Sequence, residues 1–271
     1  MTYNVRVQVT DFWELLKGVD EWEGRHPAKA VETMIAQNPD VFGLQEVTDL
    51  WLSDYLGSLT STHGYSVYTG KGFDNRYQPI YYKTSKYTLV SSGVLYLSDT
   101  PDTKSKYSDA DYYRYMSYAI LRDNSTGVCF AFVNAHVQAH SESTDVAVRN
   151  LQAAALVGIL NRNTFSNLPI ILIGDFNSIE TGVPYNLITG STTRMVDSET
   201  ISAKVTNNQN TLVNRDGWST LFPYVFDYIF VTNDLISVSD YAVVDNKIDN
   251  NNTTYPSDHL PVYSIITIYE E

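Results

Sequence analysis

The chain has 271 residues, 43% of them hydrophobic, and a formal net charge of -13 from 18 basic and 31 acidic side chains. That length and core content fit a single globular domain spanning 1–271, and no apolar run nears the roughly 18–20 residues needed to cross a bilayer. A lone cysteine, Cys129, excludes an internal disulfide and a multi-cysteine zinc site, and an acidic excess without a basic run argues against a binder of long duplex nucleic acid.

Met1 to Val7 alternates as a strand does, so 1–9 reads as a strand with no basic-then-apolar leader. Localisation stays open: secreted or cell-surface if a signal segment once preceded Met1, cytoplasmic otherwise. A polar, Trp-rich connection runs from Phe12 to Gly24. Helical spacing over 27–38, with Ala30, Met34 and Ile35 on one face and Pro27 near the start, predicts a helix ended by Asn38-Pro39-Asp40. Val41 to Val47 reads as a second buried strand and 48–60 as helical. A β-rich middle follows at 65–70, 78–83, 87–97, 116–122 and 128–137, with turns rich in Gly, Ser and Asp. Cys129 is expected to be buried packing in the last of these strands. The clearest helix is 143–162, with Val148, Leu151, Ala155, Leu156 and Ile159 on one face. Pro169 to Asp175 is an apolar run that breaks abruptly into Gly174-Asp175-Phe176-Asn177-Ser178. One or two helical turns at 184–189, a polar Asn-rich stretch at 200–222, and strands at 226–232, 240–244 and 261–269 complete the chain. Strand, helix, strand, then a β meander, then the same again predicts two sheets packed face to face with helices outside, an α/β sandwich. The repetition hints at an internal pseudo-two-fold.

Polar residues stand at strand ends where a core strand has no use for them: Asn4, Glu46, His136, Asp175 with Asn177, and Asp227. A sixth group, Ser257-Asp258-His259-Leu260-Pro261, precedes the last strand. A carboxylate and an amide two residues apart on an extended chain share a side. One offers charge for a metal or a base for water, the other N–H donors for an anion, which suits hydrolysis of something negatively charged. Glu46, Asp175, Asp227, Asp258 and two histidines on one rim would be costly without a cation. Each group has an ordinary explanation alone. Asx residues favour turns, Glu46 could cap a helix near Thr48, Asp258 could cap another, and Asp227 could guard a sheet edge. These separate explanations do not account for all six in this order. His26, His63 and His140 lack such a context and read as surface or packing residues. Trp13, Trp22 and Trp51 read as core or rim packing.

The pieces Thr2-Tyr3-Asn4-Val5, Leu44-Gln45-Glu46-Val47, Asn134-Ala135-His136-Val137, Gly174-Asp175-Phe176-Asn177, Asp227-Tyr228-Ile229-Phe230 and Ser257-Asp258-His259-Leu260-Pro261 resemble, in order, the endonuclease/exonuclease/phosphatase superfamily of DNase-I-like hydrolases. The resemblance implies a four-layered α/β sandwich of two mixed β-sheets and a divalent-metal-dependent hydrolase of phosphoester bonds, with a phosphodiesterase favoured. It implies Mg²⁺ or Mn²⁺ held by Glu46 with Asn4 and Asp258. It implies Asp175 as the group that orients or deprotonates water, Asn177 as donor to phosphate oxygens, and His259 held by Asp227 for phosphoryl contact or proton transfer. His136 would protonate the leaving group or stabilise charge, and Arg114 would contact the substrate phosphate. The run His136-Val137-Gln138-Ala139, with Val148-Arg149 and Gln152 downstream, is similar to the neutral sphingomyelinase branch. Pro79-Ile80-Tyr81-Tyr82-Lys83 looks like the general bacterial branch, so branch resemblance assigns no substrate. The implied partner is a phosphate ester, whether small molecule, lipid or nucleic acid, acted on by a monomer. The competing readings are a nuclease, a lipid diesterase, a binding protein that kept the fold, and a glycosidase using paired carboxylates.

Overall fold

The computed structural model describes residues 1–7, 26–190, 192–213, 224–248 and 255–269. In chain order the elements begin with β1 (Thr2–Asn4), α1 (Pro27–Gln37) and β2 (Val41–Gln45), then a turn of π-helix over Trp51–Tyr55 and α2 (Gly57–Ser61). Next come β3 (Tyr65–Tyr68), β4 (Lys71–Phe73), β5 (Arg76–Tyr77), β6 (Ile80–Lys83), β7 (Tyr87–Tyr96) and β8 (Tyr115–Asp123). The second half runs through β9 (Cys129–His136), α3 (Ser143–Leu160), β10 (Ile170–Asp175), α4 (Val183–Ile188), β11 (Met195–Asp197), α5 (Ser198–Ile201) and β12 (Val205–Asn207). It closes with β13 (Asp227–Thr232), β14 (Ile236–Val243) and β15 (Val262–Ile268).

One sheet has the order β12-β14-β15-β1-β2-β6-β3 and the other β11-β13-β10-β9-β8-β7. Both are mixed: β1 and β2 are parallel with α1 between them in the chain, and β9 and β10 are parallel with α3 between them. The expected pseudo-two-fold is visible in this topology. Each half continues from its parallel pair into two further strands of the same sheet, then sends a hairpin (β7–β8 or β14–β15) to the first strand of the other half.

The period of two along each strand sorts side chains between the layers. On β10, Ile171 and Ile173 enter the core between the sheets, while Ile170 and Leu172 pack towards α3 with Leu156 and Leu160. On β9, Phe130 and Phe132 face the other sheet and Ala131, Val133 and Ala135 face α3. A third cluster, with Tyr3, Phe42 and Leu44 against Ala30, Val31 and Met34, places α1 on the outside of the first sheet. Among the described residues no helix is long and apolar enough to cross a membrane.

Several expectations need correction. The first strand stops at Asn4, and residues 8 and 9, like the Phe12 to Gly24 connection with Trp13 and Trp22, lie outside the described residues. The 48–60 helix is a π turn followed by α2, and Trp51 is fully buried beneath it. On α3, Leu151 is exposed, and the inward face carries Asp145, Arg149 and Gln152 beside Val148 and Leu156. Those polar groups bind a neighbouring loop: Arg149 donates to the Gln138 and His140 carbonyls, and the Gln138 amide donates to Asp111 and Asp145. Cys129 is only half-buried, at the start of β9. The polar stretch 200–222 contains the end of α5 and the edge strand β12, with 214–223 outside the described residues. The hairpin β4–β5, the strand β11 and the first four residues of β14 (from Ile236) carried no signal long enough to predict.

Candidate active site

At one end of the space between the sheets, the inward-facing rows change from apolar to polar. Asp175 continues the face of Ile171 and Ile173, His136 that of Phe130 and Phe132, and Asp227 that of Ile229 and Val231. From the other sheet come Asn4 and Gln45. The Gln45 amide donates to Thr2 Oγ1 (3.0 Å) and Asn134 Oδ1 (2.7 Å), tying the two sheets together directly beneath the site.

The centre is the Asp175 carboxylate, 1% exposed. Its Oδ2 accepts from Asn4 Nδ2 at 2.9 Å and lies 3.5 Å from His136 Nε2 and 3.6 Å from His259 Nε2. Its Oδ1 accepts from the Asn177 amide N–H at 2.9 Å. Asn177 has φ 46°, a left-handed turn that ends the alternation, so the extended-chain argument for a shared side does not hold at this pair. Its side-chain amide instead donates to the Val137 carbonyl at 3.3 Å. Gly174 is required by the same bend: its φ is 151°, and a Cβ there would sit 1.9 Å from the Ala135 carbonyl oxygen.

His259 and Asp227 form a buried pair, with Nδ1 and Oδ2 2.7 Å apart. Thr211 Oγ1 accepts from the Phe226 and Asp227 amides and seats that carboxylate. Ser257 Oγ donates to the Asn4 carbonyl at 2.7 Å and fixes the end of β1 against the His259 turn. The two histidines differ in charge. Burial would lower His259, but Asp227 and Asp175 lift it well above the ordinary imidazole value. Burial, and then the charges of Arg114, His259 and Arg76, hold His136 well below it. Burial pushes the Asp175 carboxyl up to about 7 against the pull of His259.

Glu46 follows β2 in a left-handed conformation, φ 63°. Its Oε1 accepts from Asn4 Nδ2 at 3.1 Å and its Oε2 from the Val7 amide at 2.6 Å. It therefore faces the same Asn4 side chain as Asp175. Asp258 Oδ2 lies 3.5 Å from Arg6 Nε. A pocket of about 280 Å³ opens beside Glu46 and His136, with Arg76, Arg114 and His140 among its polar lining and Phe73, Tyr112 and Tyr113 in its wall. A larger cavity, about 650 Å³, lies at the opposite end of the sheets among Val41, Tyr87, Phe130 and Ile268 and contains none of these groups.

A model of the endonuclease/exonuclease/phosphatase family matches residues 1–259. The chain belongs to this family. No curated protein is a significant sequence match. Among solved structures, a mannosyl-6-phosphatase from Bacteroides thetaiotaomicron VPI-5482 is 27% identical, with 98% of each chain covered and a TM-score of 0.80. A second Bacteroides thetaiotaomicron protein of the endonuclease/exonuclease/phosphatase family is 26% identical, covering 100% of this chain and 97% of its own, also at 0.80. The human Nocturnin catalytic domain with bound sulfate shares the fold at 19% identity, 98% and 92% coverage and a TM-score of 0.72.

Endonuclease/exonuclease/phosphatase proteins generally use a divalent metal. Two groups here offer ligands. Asp175, Asp227 and His259 bring ligand atoms within 4.8 Å of one another, but His259 and Asp227 are hydrogen-bonded to each other, and His259 also lies 3.6 Å from Asp175. The Glu46 carboxylate offers hard oxygen donors at a half-buried position open to the pocket, the donor type Mg²⁺ and Mn²⁺ prefer, while the Asn4 side-chain oxygen is buried and accepts from the Arg6 amide. The residues present fit such an ion.

The structure brings Asn4, Glu46, His136, Asp175, Asn177, Asp227 and His259 to one end of the sandwich, with Arg114 in the adjoining pocket and Asp258 at the rim beside Arg6. His26 and His63 are exposed, while His140 lines the pocket mouth. Arg6, Arg76 and Thr211 were missed, and Ser257 was named only within its motif, without a role. Arg76 sits in a two-residue strand, and the others are ordinary polar residues whose roles depend on contacts distant in sequence.

Proposed function

We propose that this protein is a divalent-metal-dependent phosphoesterase in which Asp175 positions and deprotonates the attacking water. The observation that carries the reading is the convergence of Asn4, His136 and His259 on one buried oxygen of Asp175. Mg²⁺ or Mn²⁺ held by Glu46 with Asn4 and Asp258 would neutralise charge on the phosphoryl oxygens. A carboxyl raised towards neutrality by burial is suited to accept a proton at its working pH. His259, kept charged by Asp227, stabilises negative charge on the phosphoryl oxygens and can release a proton. His136, kept neutral, directs a single N–H at the same centre. Two like residues pushed apart in this way give one acid and one neutral donor. Asn177 fixes Asp175 through its backbone amide, and its side chain is placed to donate to phosphate oxygens once it leaves the Val137 carbonyl.

The chemistry serves diesters, favoured from the sequence, and monoesters such as the one implied by the name of the mannosyl-6-phosphatase relative. The charge of -13 favours a small or lipid phosphate over long nucleic acid. The test is turnover of bis-p-nitrophenyl phosphate, p-nitrophenyl phosphate, sphingomyelin and plasmid DNA with Mg²⁺ or Mn²⁺. Hydrolysis of at least one ester, abolished by chelation and restored by metal, is expected. Absence of metal-dependent turnover across the panel rejects the reading.

A further inference from the structure

Two arginines in the pocket beside the reaction centre make no hydrogen bond or ion pair among the described residues, although the charges of Glu46 and Asp175 act on one of them, Arg114. Arg6, Arg149, Arg162 and Arg194 each bind a carboxylate or carbonyl. The Arg114 and Arg76 guanidiniums make no hydrogen bond or ion pair, and Arg114 Nε is buried with no acceptor. Burying a charged donor without an acceptor is costly unless a ligand supplies one. Arg76, Arg114 and His136 line the same pocket, so both positive charges lie beside the proposed reaction centre.

Arg76 is held in place by its hairpin. The Tyr96 hydroxyl donates to the Gly72 carbonyl, and the Tyr115 hydroxyl donates to the Arg76 carbonyl at 3.0 Å. The Tyr77 hydroxyl donates to Asp49 at 2.6 Å, and the Tyr77 amide to the Val47 carbonyl at 3.0 Å. Gly72 lies so close to Tyr115 that a Cβ would fall 2.1 Å from its ring. The backbone carrying Arg76 is thus braced from both sides while its side chain is left free, the arrangement of a preorganised binding group. Part of the lining is aromatic: Phe73, paired with Arg76 across the hairpin, and Tyr113 have ring centres 5.6 Å apart, with Lys104 Nζ 4.7 Å from the Tyr113 ring. A volume of about 280 Å³ is at the small end for ligand sites.

We propose that this pocket selects a phosphate monoester carried on one compact ring, with Arg76 as the specificity-determining residue; the proposal rests on the phosphoesterase reading above. A diester presents one negative charge and two free oxygens at its phosphate, whereas a monoester presents two charges and three oxygens. Two unpaired forks beside one histidine match the second set, because guanidinium binds phosphate oxygens two at a time. A volume of about 280 Å³ with aromatic lining leaves room for a single ring beside the phosphate.

The test compares kcat/KM of the wild-type enzyme with Mg²⁺ on p-nitrophenyl phosphate, a hexose 6-phosphate and a nucleoside 5′-monophosphate against bis-p-nitrophenyl phosphate. Monoesters are expected to be preferred by about tenfold or more, the size of one charged hydrogen-bond pair. The sugar and nucleotide arms identify which ring the wall accepts. In Arg76→Gln the monoester KM rises roughly 10–100-fold with kcat nearly unchanged, and the monoester-to-diester ratio collapses. Arg76→Lys, which keeps the charge and loses the fork, falls between. Calorimetric binding of inorganic phosphate, weakened in Arg76→Gln at an unchanged melting temperature, gives a readout independent of turnover. A wild type that prefers the diester, or phosphate binding indifferent to Arg76, overturns the proposal while leaving the phosphoesterase reading intact. If no ester is turned over, that reading fails, and phosphate binding alone decides whether the pocket is an anion site.

Discussion

In the first half of the chain, β1 and β2 run parallel and end at Asn4 and Gln45; in the second, β9 and β10 do the same and end at His136 and Asp175. Each pair is followed by a left-handed residue, Glu46 at φ 63° and Asn177 at φ 46°. The backbones are near-equivalent and the chemistry is not. In the mechanism proposed above, the first half, with Glu46 and Asn4, holds the metal, and the second, with His136 and Asp175 joined by Asp227 and His259, moves the protons. The frame sets where side chains point, and the residue at each strand end decides what they do.

This division can be broken by experiment. Asp175→Asn is expected to lower kcat by about 10²–10⁴-fold, as for loss of a general base, with the Mg²⁺ concentration for half-maximal activity close to wild type. A large shift in metal requirement in that variant would merge the two roles. His259→Ala is expected to fall in the same range, about 10²–10⁴-fold, and a rate near wild type would remove it from proton transfer. Asn177→Ala should cost roughly 10²–10³-fold, the value of one preorganised donor. On the other side, Glu46→Gln should raise the half-activating Mg²⁺ concentration roughly tenfold or more, since hard-cation sites weaken with each lost carboxylate charge. Excess metal should recover most of kcat. A loss of kcat that metal does not rescue would place Glu46 with the proton-transfer groups instead.

The smallest effect concerns Asp197, at the end of β11 in the second half. It is 3% exposed, its Oδ1 accepts from the Glu199 amide, and burial pushes its carboxyl from 3.8 up to about 7. The folded protein holds a proton there that the unfolded chain releases at lower pH. This contribution to stability is therefore complete below about pH 4 and is lost as pH rises to about 7. Asp197→Asn keeps the acceptor and removes the charge. Its melting temperature at pH 8 should exceed wild type by about 2–4 °C, for about 1 kcal/mol, and the gap should close at pH 4. An Asn variant less stable at both pH values would refute the account.

Much of this was legible because buried strands demand apolar residues, so Asn4, Glu46, His136, Asp175 and Asp227 stood out where the pattern broke. The Pro169 to Asp175 run and the 143–162 helix were long enough for their periods to be read. What the sequence hid was short or non-local. The hairpin β4–β5 has strands of three and two residues, too brief for any period, so Arg76 went unseen. The inner face of α3 mixes Arg149 and Gln152 with Val148 because it binds the Gln138 loop, which pattern alone could not show. The left-handed turns at Glu46 and Asn177 leave no mark on residue type strong enough to foresee.

The hairpins exchanged between the halves have a consequence for folding. β8 pairs with β9, and β15 pairs with β1, so each half supplies a neighbour strand that the other half lacks. A fragment ending before β9 would expose the unpaired side of β8, and a fragment starting at β9 would leave β15 without β1. Neither piece closes its own sheet. The seven-stranded sheet is complete only when the first and last strands have come together, a long-range step that slows folding. The groups around Asp175 come from both ends of the chain, so the centre cannot form in a half-folded molecule. An enzyme built this way switches on only when the last strand docks beside the first.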